Sequence, residues 1–144
     1  MFADFLKRLT DPAPAQLPDT DARLALTALL VRVARSDNDY SSAERVRIQD
    51  IIVSRYGLNM RARDALLSDA EALEAEAPDT VRFTRAIKDA VGYEDRLGVV
   101  EALWKVVLAD GIRAKEEDAL LRLVVNLLGI TDMDSAQARK RVGG

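Results

Sequence analysis

Apolar residues recur along this chain with the three-to-four-residue period of α-helices, and no stretch alternates as a β-strand does. Residues 22–34 and 97–108 are apolar at most positions, a pattern typical of helices at the centre of a bundle. A narrower apolar stripe over residues 62–77 predicts another helix, ended by Pro78 and with Glu71 and Glu74 on its polar faces. These patterns predict an all-α, single-domain helical bundle of about seven to eight helices.

An acidic phrase occurs twice, each time between two predicted helices. Glu44 follows Asp37 by seven residues and Glu117 follows Asp110 by seven, and 110 − 37 and 117 − 44 both equal 73. This spacing indicates an internal duplication, with repeat one at about 22–55 and repeat two at about 95–128. We therefore expect two pseudo-symmetric helical hairpins whose first helices pack against each other.

The second helix of each hairpin repeats its core positions as well. Val46, Ile48, Ile51 and Ile52 of the first copy align with Ala119, Leu121, Val124 and Val125 of the second. Gly57 and Gly129 follow these helices, where a left-handed C-cap is expected. The two stretches between the copies, about 60–77 and 80–91, are also predicted to be helical but are not explained by the repeat.

The N-terminal segment, residues 1–18, is predicted to be an amphipathic helix followed by a Pro-rich tether, and residues 19–144 to form the helical domain. Phe2, Phe5 and Leu9 share one helical face. That face can dock on the body of the protein, on a second subunit or on lipid. We expect a protein surface, because one short helix with two basic residues is a weak membrane anchor.

Charge and composition exclude several classes of function. A net charge of −3, with 21 basic and 24 acidic residues, gives no general affinity for nucleic acid. No apolar run approaches the ~20 residues that span a bilayer, and the start of the chain lacks the pattern of a secretory signal, so a cytoplasmic protein is expected. The chain has no cysteine and no histidine. A bound metal would therefore be a hard cation held by oxygens, such as calcium or magnesium.

The repeated acids have two interpretations. Ser41 and Glu44 fit a capping box, which would make Glu44 purely structural. Ala114 stands where Ser41 stood and cannot cap, so Glu117 has no such explanation in the second copy. Alternatively, Asp37, Glu44, Asp110 and Glu117 collect a divalent cation or a basic partner in one shared cluster or in two equivalent ones.

The sequence does not support two more specific kinds of site, an EF-hand and a hydrolase active site. Residues 37–48 start like an EF-hand loop but have Ser42 at the sixth position, which requires glycine, and Ile48 at the twelfth, which requires a bidentate glutamate. Nothing marks a substrate pocket for a carboxylate-based hydrolase. Trp104 lies on an apolar helix and is expected to be a core anchor.

Several parts of the sequence resemble the tellurite resistance protein TerB family, in particular its small stand-alone bacterial members. They are the two repeated acidic motifs, the segment DTVRFTRAIK at 79–88 and the segment YEDRLGVVEALWKVVLADG at 93–111. The resemblance covers about residues 22–130. Its most specific part is Ala109-Asp110-Gly111 followed by Glu117. It implies an all-α domain of duplicated hairpins, linked to tellurite resistance and stress responses, with metal binding suspected at its acidic residues and no enzyme activity.

Together these observations favour a non-enzymatic module of a tellurite resistance or stress-response system, which binds a divalent cation or a protein partner through the duplicated acids. The alternative is a scaffold or homo-oligomer that uses Phe2, Phe5 and Leu9, with the acids only structural. A metal-dependent hydrolase is the third hypothesis.

Overall fold

The computed structural model describes residues 3–9, 19–35, 40–77, 79–108 and 115–142. Within these ranges the chain forms eight α-helices and no strand, so the expected all-α bundle is confirmed. The helices are α1 (Ala3–Leu9), α2 (Asp19–Ala34), α3 (Ser42–Tyr56), α4 (Met60–Glu76), α5 (Thr80–Ala90), α6 (Tyr93–Val107), α7 (Lys115–Leu127) and α8 (Asp132–Arg141).

Side-chain caps mark the helix boundaries. The amide of Ala62 donates to the Asn59 side chain at the start of α4, and the amide of Arg82 donates to Asp79 at the start of α5. Gly57 and Gly129 end α3 and α7 with φ values of 62° and 75°. The two glycine C-caps expected from the sequence are therefore confirmed, since left-handed backbone favours glycine.

The duplication includes three helices per copy rather than two. In the first copy α2 packs against α3 and α4, and in the second α6 packs against α7 and α8 in the same manner. The third helices follow the repeat too, because α8 begins 132 − 60 = 72 residues after α4. The expectation that the repeat leaves residues 60–77 unexplained is therefore wrong.

The two copies meet through their central helices. As expected, α2 packs against α6, and the cross pairs α3 with α6 and α2 with α7 complete a pseudo-twofold arrangement. Helix α5 joins the copies by contacting both α2 and α7. This arrangement buries most of α2 and α6, which explains why these helices are apolar around most of their circumference.

One predicted core position is wrong in both copies. Val46 is 52% exposed, and its counterpart Ala119 is exposed as well. Ile48, Ile51 and Ile52 are buried as expected. Each residue turns a helix by about 100°, so position 46 lies roughly opposite position 48.

Helix α1 packs on the body of its own chain, where it contacts α5. Phe5 and Leu9 are buried in the common core, and Leu6 packs against it. Phe2 lies outside the described residues. A partner could reach Phe5 or Leu9 only if α1 left the body, and their partner-binding role stays a prediction.

Candidate functional site

The structure describes one of the four predicted acidic side chains. Glu44 lies in the first turn of α3. Asp37 and Asp110 are outside the described residues, and so is the side chain of Glu117, although α7 includes its backbone. The described geometry of the site is therefore that of Glu44 and its neighbours.

Glu44 occupies a core position rather than a surface position. It stands four residues before Ile48, one helical turn away, and so belongs to the stripe that Ile48 and Ile52 bury. Only 1% of Glu44 is exposed. Glu117 has the same register in α7, four residues before the buried Leu121. The periodicity of the sequence could have identified both positions, because each acid continues an apolar stripe of its helix.

A capping box holds one side of the Glu44 carboxylate. The backbone amide of Ser41 donates to Glu44 Oε1 at 3.2 Å, and the amide of Glu44 donates to Ser41 Oγ at 3.0 Å. The structural interpretation of Glu44 is therefore correct for this oxygen. The other oxygen, Oε2, is buried and accepts no hydrogen bond from any residue that the structure describes.

The arginines closest in sequence to Glu44 pair with acids of α4. Arg35, at the end of α2, donates to Glu74 Oε1 at 3.0 Å, and Arg45 Nε donates to Glu71 Oε2 at 3.3 Å. The hydrogen bond that Arg45 donates to Glu71 raises the pKa of Arg45 above its ordinary value. These guanidinium groups are thus bound to other carboxylates and form no ion pair with Glu44 in the described structure.

Glu71 and Glu74 were missed as partners of the arginines, and the polar face predicted for Glu74 is wrong because Glu74 is buried. Glu74 is 9% exposed, and it follows the buried Leu67 and Ala70 by seven and four residues on the same stripe of α4. The periodicity could have identified it. Its compensation by two arginines of α2 depends on the packing of α4 along α2.

Tyr40 borders the same turn. The Arg35 guanidinium lies 5.2 Å from the centre of its ring. Burial, together with the nearby Glu71 carboxylate, raises the pKa of Tyr40 above its ordinary value. Its hydroxyl is buried and makes no hydrogen bond of normal geometry to a described residue. Tyr40 therefore stays neutral at neutral pH.

The carboxylate of Glu44, with its buried Oε2, is chemically suited to bind a hard cation. A buried carboxylate oxygen without a donor is strongly destabilising unless a positive charge compensates it. Carboxylate oxygens are the ligands that calcium and magnesium prefer. Among the described residues no three acidic side chains come together as a metal site, and three of the four predicted ligands are not among the side chains that the structure describes.

Comparisons with known proteins bear on the chain as a whole. In the described structure, no helix is both long enough and apolar enough to cross a lipid bilayer. No curated protein and no solved structure is significantly similar to the chain. The sequence profile of the tellurite resistance protein TerB matches residues 23–140, which include most of α2, all of α3 to α7 and nearly all of α8. The chain therefore belongs to the tellurite resistance protein TerB family.

Proposed function

We propose that this TerB-family chain, a module related to tellurite resistance, is a non-enzymatic component of a stress response that binds a hard divalent cation, calcium or magnesium. Asp37 and Glu44 would supply ligands from the first copy, and Asp110 and Glu117 from the second. The observation that carries the proposal is the buried Oε2 of Glu44, which has no donor among the described residues. We also propose the cytoplasm as the setting.

A cation would supply the positive charge that the described protein groups do not. Arg35 and Arg45 are paired with Glu74 and Glu71, so they do not compensate Glu44. The capping box uses Oε1 and orients the carboxylate, which leaves Oε2 as the ligand atom. Binding at this oxygen would join the start of α3 to the turn that precedes it and so stabilise the first hairpin.

The decisive experiment separates capping from charge. Glutamine also serves at the third position of a capping box, so Glu44→Gln keeps the amide contact with Ser41 while it removes the negative charge. Ser41→Ala removes the cap and keeps the charge. Both variants and the wild type are titrated with calcium chloride and magnesium chloride, against sodium chloride at matched ionic strength, and followed by thermal unfolding and by amide resonances.

The proposal expects a cation-dependent rise of Tm in the wild type and in Ser41→Ala. In Glu44→Gln the rise should be smaller if each copy has its own site, and absent if the copies share one. A cation at a hundred times its Kd stabilises the folded state by about 2.7 kcal/mol. Amides near residues 40–44 should shift in the same titration. If the Tm and the amide resonances of the wild type respond no more to calcium or magnesium than to sodium, the proposal of cation binding is wrong.

The alternative is a scaffold or oligomerisation protein whose acids are only structural, and the complete capping box at Glu44 favours it for the first copy. The second copy discriminates between the two, because Ala114 cannot cap Glu117. Asp110→Asn combined with Glu117→Gln should weaken cation binding without loss of fold if the site is functional. If the double variant unfolds in the absence of any cation, the structural alternative is favoured.

A further inference from the structure

A cavity of about 280 Å³ lies between α6, α7 and α8. Its polar wall includes Trp104 of α6 and Ser135 and Arg139 of α8. Leu121 and Val125 of α7 provide an apolar wall. The described lining does not include Glu44, so this cavity is separate from the part of the proposed cation site that the structure describes.

Arg139 places a guanidinium group at this cavity. Its guanidinium carbon lies 5.1 Å from the centre of the Trp104 ring, so the side chain stacks on the indole. Its Nε is buried and has no hydrogen-bond acceptor among the described residues. By contrast, Arg32 donates to Glu74, and Arg96 donates to the carbonyls of Val91 and Leu128. The guanidinium forms no ion pair with a described carboxylate, so an anionic ligand in the cavity that it lines would compensate its charge.

Ser135 offers a second donor beside Arg139. This residue is buried, and its Oγ accepts a hydrogen bond from the Trp104 indole nitrogen at 3.2 Å. Its own hydroxyl hydrogen donates to no residue that the structure describes. A hydroxyl can accept and donate at once. The indole therefore orients Ser135 and leaves its proton available to a ligand.

The lining limits the charge and size of that ligand. Asp132 also lines the cavity, and its carboxylate would repel a dianion. Arg122, which has other interactions, adds positive charge to the lining. A volume of about 280 Å³ admits only a small molecule. The ligand should therefore have one negative charge, two acceptor oxygens and a short apolar part. A small monocarboxylate has all three.

We propose that the cavity between α6, α7 and α8 binds a small monocarboxylate, whose oxygens accept from the Arg139 guanidinium and from the Ser135 hydroxyl. The aliphatic part of the ligand lies against Leu121 and Val125. This binding uses Arg139 and Ser135 rather than the four acids, so the experiment tests it separately from cation binding.

Trp104 is the single tryptophan of the chain, so intrinsic fluorescence reports on this cavity directly. The full chain is titrated with sodium acetate and sodium propionate, with sodium chloride as the ionic-strength control and inorganic phosphate as the dianion. We expect a saturable fluorescence change with both carboxylates, tighter for propionate, and a shift of the Arg139 Nε–H resonance. A response to phosphate alone, or one equal to that of chloride, overturns the proposal.

Three variants locate the binding. Arg139→Gln should weaken propionate binding by about tenfold or more, because it removes a charge-assisted hydrogen bond. Arg85→Gln, an exposed arginine of α5, makes the same change of charge and should leave binding unaltered. Asp132→Asn should strengthen binding because it removes the repelling carboxylate, and a gain of affinity cannot result from misfolding. Unchanged affinity in both Arg139→Gln and Asp132→Asn would show that the carboxylate binds elsewhere.

Discussion

Arg32 of α2 binds Glu74 of α4 through both the side chain and the backbone. Its Nε and Nη2 donate to Glu74 Oε2 at 3.2 and 3.1 Å, and Nη2 also donates to the Glu74 carbonyl at 3.0 Å. Arg35 pairs with the other carboxylate oxygen at 3.0 Å. The side chains of Arg32 and Glu74 are only 15% and 11% exposed, so this network joins the first and third helices of repeat one inside the protein.

Replacement of Glu74 by alanine should destabilise the fold strongly. Removal of one partner of a buried pair leaves the other charge uncompensated, which costs about 3–5 kcal/mol. The free energy of unfolding from urea titration measures the loss. Asp69→Ala, on an exposed position of the same helix, is the control and should change that free energy by less than about 0.5 kcal/mol. Similar values for the two variants would show that the network contributes little.

Two substitutions in the capping box should change stability in different directions when a chelator has removed divalent cations. Ser41→Ala leaves the Glu44 amide without its acceptor and should lower the free energy of unfolding by about 1 kcal/mol. Glu44→Gln keeps the cap and removes an uncompensated buried charge, so stability should be unchanged or higher. Chemical denaturation with chelator present tests both. A larger loss in Glu44→Gln than in Ser41→Ala would mean that the folded protein already compensates the charge.

Alanine should have opposite effects at Gly98 and Gly57. Gly98 lies inside α6, where alanine favours the helix by about 0.5–1 kcal/mol. A Cβ there would lie 2.6 Å from Arg55 Nη1, and the exposed end of that side chain can move away. At Gly57 a Cβ meets nothing within 4 Å, but φ is 62°, so alanine should destabilise by about 1 kcal/mol. Thermal unfolding compares the two, and a loss at Gly98 would mean that Arg55 is held in place.

Alkaline pH should weaken the fold partly through Tyr40. Burial and the Glu71 carboxylate raise its pKa in the folded state, so the unfolded chain loses this proton first. The contribution is therefore complete below pH 10 and decreases as pH rises above about 10. Tyr40→Phe should reduce this pH dependence and leave stability at pH 7 nearly unchanged, since the hydroxyl has no partner among the described residues.

Urea unfolding at neutral and alkaline pH measures that difference. Tyr93, whose pKa is also raised by its hydrogen bond to Asp134, preserves part of the dependence in the Tyr40→Phe variant. The single variant should therefore reduce the slope without abolishing it. An identical slope in the wild type and in Tyr40→Phe would contradict the expected contribution of Tyr40.

The acidic site shows which structural features can be predicted from the local sequence pattern. The capping box was predictable because Ser41 and Glu44 are neighbours in one helical turn, and the glycine caps at Gly57 and Gly129 were predictable because left-handed backbone has a strong residue preference. The burial of Glu44 could also have been read from its spacing to Ile48. The partners of Arg35 and Arg45 could not, because Glu74 and Glu71 are distant in sequence and become neighbours only through the packing of α4.

By itself, the sequence determined the helical class, the duplication with its 73-residue spacing, the TerB family and the buried helices α2 and α6, because periodicity and capping act within a few residues. Tertiary structure alone decided which charges are compensated. Among the described residues, Glu74 has two arginine partners, Glu44 Oε2 has no donor, and Arg139 Nε has no acceptor. Compensation depends on which helices meet, and that information lies in long-range packing rather than in local sequence.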